Sequence, residues 1–152
     1  MQRLILGCGK HYVKQPGDVC VDIRQFPAVD HVWDLNVRPW KFATDGQFMH
    51  ASALHLVEHL RDLVGFMNEA WRVLARGGSL YLETPRAGAD TDLEWSDPTH
   101  IRCYTEHSFI NYFTPEGIET FGYTDRAWCI YAVRRHPQDH RVLVFHGSPI
   151  KP

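Results

Sequence analysis

The residues able to do chemistry gather where short apolar runs stop. Gly7-Cys8-Gly9 follows Arg3-Leu4-Ile5-Leu6, Asp22 follows Val19-Cys20-Val21, and Asp34-Leu35 follows His31-Val32-Trp33. Two glycines one residue apart let the backbone turn sharply and approach a ligand with no side chain between them. A carboxylate closing the second run can accept hydrogen bonds from two adjacent ribose hydroxyls. Asp34 can meet an adenine amino group while Leu35 packs on the ring. Taken singly, Gly7-Cys8-Gly9 is a turn and each Asp a strand terminator. An acidic residue after both following strands favours a ligand site. A nicotinamide dinucleotide would need a third glycine and an acidic residue about 20 positions further on. Tyr12 stands at the third position, and Asp22 follows Gly9 too closely for a full crossover helix.

Histidines supply the second set. His55-Leu56-Val57-Glu58-His59 matches H-x-x-E-H, the inverted zinc-protease pattern, in which two histidines share a helix face and a glutamate acts as base. A third ligand would be needed, and Glu69 falls on the following helix. The plainer reading makes Glu58 and His59 a polar pair bracing that helix. Asp97-Pro98-Thr99-His100 lies in a long loop, with Trp95 just before it. Pro98 restricts the backbone of Asp97, and loops on the rim of a parallel sheet commonly contact substrate. Trp33, Trp40, Trp71 and Trp128 read as core or rim packing.

Elements that position these residues follow from the pattern. Buried parallel strands are expected at 3–6, 19–23, 31–35, 47–54 and 79–84, each a short apolar run bounded by turn residues. Leu63, Phe66, Met67, Ala70, Val73 and Leu74 recur at helical spacing and predict a helix over 62–75, ended by Gly77-Gly78. A short helix is expected at 106–113, and a hairpin from 127–134 and 141–146. Residues 10–18, broken by Pro16-Gly17, are too few for a crossover helix. The expected architecture is α/β: a three-layer Rossmann-like sandwich, mainly parallel, with an antiparallel C-terminal hairpin. It forms a single domain over 1–152, with a cofactor half at about 1–84 and a substrate-side loop, short helix and hairpin at about 85–152.

Composition narrows the classes. Sixteen basic against eighteen acidic residues give a formal charge of −2, so the basic field of a duplex-DNA-binding protein is absent. No apolar run approaches the ~20 residues of a membrane span, and the first residues lack the pattern of an export signal. Cys8, Cys20, Cys103 and Cys129 form no CxxC pair and read as reduced thiols of a cytoplasmic protein.

Together the segments Leu6-Gly7-Cys8-Gly9, Val21-Asp22-Ile23, Trp33-Asp34-Leu35-Asn36, His55-Leu56-Val57-Glu58-His59-Leu60, Trp71-Arg72-Val73-Leu74-Ala75-Arg76-Gly77-Gly78 and Asp97-Pro98-Thr99-His100 resemble the class I S-adenosylmethionine-dependent methyltransferases, especially small type 11-like domains. The resemblance implies S-adenosyl-L-methionine as cofactor. Gly7, Cys8 and Gly9 would line its methionine part, Asp22 with Ile23 the ribose, and Asp34 and Leu35 the adenine. Ala53 and His55 would pass beneath the sulfonium. In this reading His55 and His100 orient or deprotonate the acceptor, Trp95, Asp97 and His100 contact it, and no metal is expected. The acceptor is a small molecule or a group on a larger partner, and a homodimer through the hairpin is one assembly open to the chain. Ile5 stands where the family usually has an acidic residue, and His11 where a third glycine is usual. These departures define the alternative, a cofactor-binding or interaction module without catalysis; a zinc hydrolase built on His55 and His59 is the third reading.

Overall fold

Alternation along the first strand shows how the sheet is built. In β1 (Arg3–Leu6), Leu4 and Leu6 are fully buried while Arg3 is exposed. Strand β2 (Asp18–Asp22) runs parallel on one side, with Val21 opposite Leu6. Strand β4 (Phe48–Leu54) runs parallel on the other, with Ala53 opposite Leu6. Outside β2 lies β3 (His31–Val32), and beyond β4 lies β5 (Leu74–Pro85), both parallel. The antiparallel strands β6 (Trp128–Arg135) and β7 (Val142–Pro149) complete seven strands in the order β3-β2-β1-β4-β5-β7-β6. These elements come from a computed structural model that describes residues 2–88 and 93–152. The polar loop expected around Ala89 and Asp90 falls outside the described residues.

Among the described residues four helices follow the later strands: α1 (Leu63–Val73), α2 (Leu93–Ser96), α3 (His107–Phe113) and α4 (Pro115–Phe121). Leu4, Leu6, Ala53, Leu80 and Leu82 form one apolar surface, covered by Phe66 and Met67 of α1 and Phe109 of α3. Each fully buried large apolar side chain contributes about 1.5–3 kcal/mol. The chain steps from β1 to β2 to β3 in one direction and from β4 to β5 in the other. Right-handed crossovers therefore place the two sets of connections on opposite faces. On the α1 face the layer is helical; on the other the connections 7–17 and 23–30 consist of turns. The reversal of strand order between β1 and β4 opens a crevice at the carboxyl ends of the strands. Among the described residues no helix is long and apolar enough to cross a membrane.

Three local outcomes differ from the sequence pattern. Helix α1 starts as expected, with the Asp62 carboxylate accepting from the Gly65 N–H at 2.9 Å, but Gly77 does not end it. Leu74, fully buried and paired with Phe48, already starts β5. Gly77 (φ 75°) instead lies in an irregular stretch where pairing jumps from Phe48–Leu74 to His50–Ser79. Strand β3 stops at Val32 rather than running to Leu35, because Asp34 begins a turn closed by the Val37 N–H. Helix α4 is additional, although its signals are present: Thr114 caps it, Pro115 opens it, and Gly122 closes it at φ 66°.

Candidate functional site

The crevice is a cleft of about 610 Å³. Gly7, Asp22, Ile23, Asp34, Leu35, His55, His59 and Asp97 line it, so eight of the residues given a possible ligand role from the sequence share one wall system.

Its first wall is the turn after β1. Gly7 and Gly9 both adopt positive φ, 65° and 70°. A Cβ on Gly7 would stand 2.9 Å from Leu56 Cδ1, and one on Gly9 would project into open space. The turn is tied to β2 by three successive amides. The Gly7 N–H donates to the Val21 carbonyl at 2.8 Å, the Cys8 N–H to the same carbonyl at 3.3 Å, and the Gly9 N–H to Asp22 Oδ2 at 2.9 Å. Asp22 Oδ1 accepts the Arg24 N–H at 3.0 Å. The carboxylate is thus oriented by backbone at both oxygens. Asp34 Oδ1 accepts from both the backbone and side-chain N–H groups of Asn36, at 2.9 and 3.0 Å. Among the described residues nothing donates to Asp34 Oδ2. Leu35 is held from below, where its carbonyl accepts from Trp40 Nε1 at 3.2 Å.

Cys8, Gly9 and Ala53 do not line the cleft. Ala53 is buried in β4, and the Cys8 thiol is raised above its ordinary pKa, first by burial and then by the Asp22 charge. Trp95 is exposed and lines a separate cleft of about 510 Å³ together with Tyr112 and Tyr123. His100 lies behind the wall, its side chain 8% exposed.

On the β4 side, His55 is the single non-glycine residue with positive φ among the described residues, at 50°. Such a backbone is strained for a side chain and marks a place where function can override local preference. Its Nδ1 lies 3.5 Å from Glu58 Oε1. The Glu58 carboxylate beside the ring raises the His55 pKa above the ordinary value, against burial that lowers it. The zinc-protease geometry does not form. His55 precedes a single 3₁₀ turn at Val57–His59, and Glu69 is engaged with the Trp40 N–H at 2.6 Å and with Arg72. On the rim, Asp97 Oδ1 accepts the Thr99 hydroxyl at 2.7 Å and the Thr99 N–H at 2.8 Å, which hold its carboxyl below the usual range.

Leu56, Leu60, Arg24 and Thr99 also line the cleft, and the sequence reading assigned them no role. Leu56, Leu60 and Thr99 stand inside the segments 55–60 and 97–100, and Arg24 directly follows Val21-Asp22-Ile23, so their position in or beside those segments was the available signal. Glu58, read as a brace, is 1% exposed and stands among three histidines.

A polar and apolar cleft of this size lies in the range that holds small ligands. The glycine cradle, the buried Asp22 carboxylate and the apolar floor at Leu35 fit an adenosyl group linked to an amino acid.

No protein-family model and no curated protein sequence matches the chain. Solved structures do. One S-adenosylmethionine-dependent methyltransferase, from Archaeoglobus fulgidus, superposes with a TM-score of 0.65 over 97% of this chain and 86% of its own, at 14% identity. The chain has the class I methyltransferase fold. A methyltransferase of Mesorhizobium loti matches this fold with a TM-score of 0.64 over 97% of this chain and 90% of its own, at 12% identity. So does a chain from the complex of the Haloferax volcanii Trm112 methyltransferase activator with a methyltransferase, with a TM-score of 0.62 over 99% of this chain and 83% of its own, at 12% identity.

Proposed function

We propose that the chain binds S-adenosyl-L-methionine in the cleft between β1 and β4 and transfers its methyl group to an acceptor entering past His55. The observation that carries the reading is the Asp22 carboxylate on the cleft wall of this fold, held in place by the Gly9 amide at 2.9 Å from just behind that wall. Bound there, the cofactor supplies an electrophilic methyl on a sulfonium. Asp22, pinned by the Gly9 and Arg24 amides, receives the ribose hydroxyls. Asp34 and Leu35 receive the adenine. Gly7 and Gly9 leave room for the methionine part. In-line displacement gains most from holding nucleophile and methyl at near-attack distance. His55 touches the acceptor in this scheme and takes its proton where one must leave. His100, buried behind it, acts on the site's architecture rather than on the acceptor. Trp95 belongs to the neighbouring cleft, which suits a flat or apolar part of a larger acceptor or a protein partner. The Haloferax volcanii complex supports a partner of that kind.

The rival reading, a cofactor-binding module without turnover, draws on the connections 7–17 and 23–30, which contain no helix. Calorimetric titration with S-adenosylmethionine and S-adenosylhomocysteine tests binding. Micromolar affinity, lost at least tenfold in Asp22→Asn, is expected; a folded sample that takes up neither ligand refutes the proposal. Single-turnover methylation, reduced tenfold or more in His55→Ala, then separates enzyme from module.

A further inference from the structure

At the cleft wall, where His59 lines the cleft and Glu58 and His100 stand behind it, the three residues each bring one ligating atom within 4.8 Å of the others. Their hydrogen bonds determine which atoms are available. Glu58 Oε2 accepts from the Thr84 hydroxyl at 3.0 Å, whereas Oε1 has no hydrogen-bond partner among the described residues. A buried carboxylate oxygen left in that condition is costly and requires something to satisfy it.

The two imidazoles are prepared in the same sense. His100 Nδ1 is 2.8 Å from the Glu94 carbonyl oxygen, which can only accept, so Nδ1 carries the proton. Nε2 then presents a lone pair in the neutral ring, 4.0 Å from Glu58 Oε1. His59 Nδ1 is 3.0 Å from the Thr99 hydroxyl and 3.3 Å from the Thr99 carbonyl. That hydroxyl donates to Asp97 at 2.7 Å and so accepts from His59, which again places the proton on Nδ1 and leaves Nε2 free. Histidines that bind metals are characteristically held this way, with the second ring nitrogen donating to a carbonyl or a polar relay.

We propose that Glu58 Oε1, His59 Nε2 and His100 Nε2 form a binding site for a divalent first-row transition ion, with zinc the preferred occupant. Two imidazoles and one carboxylate suit zinc, iron or cobalt better than magnesium or calcium, which favour oxygen donors. Zinc bonds of about 2.0–2.2 Å require the three ligand atoms to close up by roughly 1–1.5 Å. Three protein ligands leave one position for water. The competing state is a proton held between Glu58 and His55 or His100, but both separations, 3.5 and 4.0 Å, are long for a hydrogen bond.

The test uses the full chain, stripped with a chelator and titrated with cobalt and zinc by visible absorption and calorimetry. One equivalent of cobalt should produce d–d bands, and one equivalent of zinc should displace it. His59→Ala, His100→Ala and Glu58→Gln should each weaken binding at least tenfold. Thr99→Val removes only the hydroxyl relay and should weaken it measurably while leaving the ligands in place. His140→Ala, altering an exposed histidine of the ten in the chain, should change nothing. Circular dichroism of the stripped variants confirms folding; where an alanine variant is unfolded, Thr99→Val decides. Substoichiometric metal, or binding unchanged in the folded site variants, overturns the proposal. Binding of S-adenosylmethionine to the same samples is a separate result, so the metal site and the cofactor cleft can fail independently.

Discussion

Two sides of one cleft are built by different means. On the side of β1 to β3, each carboxylate is oriented by its sequence neighbours: Asp22 by the Arg24 amide and Asp34 by Asn36, each two residues away. The Gly9 amide is thirteen residues from Asp22, at the other end of one short connection. On the side of β4, the orienting groups come from far along the chain. Thr84 is 26 residues from Glu58, and Thr99 is 40 residues from His59. Local turns therefore preform the first side, whereas the second exists only once the loop at 94–100 has docked. Groups held by nearby backbone tolerate distant disturbance; groups held across the fold do not.

The strongest way to break the contrast is to remove what both sides share. Trp40 is fully buried between Phe42 and Phe66 and holds the Leu35 carbonyl. Trp40→Ala should cost about 3–5 kcal/mol in urea unfolding and weaken cofactor and metal binding together. Next comes separation of the sides. Asp22→Asn should lose about 1.5–3 kcal/mol of cofactor affinity, roughly a 10- to 150-fold effect by calorimetry, with metal affinity within twofold of wild type. His100→Ala should give the reverse pattern. Gly9→Ala should cost about 1–2 kcal/mol of stability, since φ is 70° there, and thermal melts would show whether the turn is as independent as its hydrogen bonds imply. The smallest effects sharpen the comparison by sparing both sites. Asp62→Ala removes the α1 cap and should cost about 1 kcal/mol, read as a lower melting temperature with both ligands still bound.

Acid sensitivity supplies a last discriminator. Burial works against ionisation of Asp18, yet Tyr12, the Gln15 amide and Arg3 outweigh it and hold its pKa below the ordinary value. A carboxylate with a lowered folded pKa stabilises the protein above its unfolded pKa, and that contribution disappears as pH falls through the folded value. Asp18→Asn should flatten the acid limb of a stability profile, leaving the profile near neutrality with a constant offset.

The same contrast explains what could be read from the sequence. The α/β class, the parallel strands, α1 and the hairpin were legible because apolar period and turn residues are local signals. So was the company of Gly7, Asp22, Asp34 and Leu35, because each closes or closely follows one of the first three strands. The extent of β5 was not, because burial of Leu74 against Phe48 is a tertiary fact. Helix α4 was legible only in its cap, proline and closing glycine, because seven residues are too few to display an apolar period. Trp95 and His100 share a loop in the sequence with Asp97, yet only Asp97 reaches the cleft. The spacing of His55 and His59, with Glu58 between them as base, pointed towards Glu69 for a third ligand, whereas the fold gathers Glu58, His59 and His100.

Strand β7 lies between β5 and β6, although β6 precedes it in the chain. On the ribosome, β6 therefore emerges before the strand that joins it to the sheet exists. Until residues 142–149 arrive, the flank of β5 presents an unpaired row of amides and carbonyls, an adhesive surface for other chains. Nascent chains halted before position 142 should be markedly more prone to aggregation than those halted after 149.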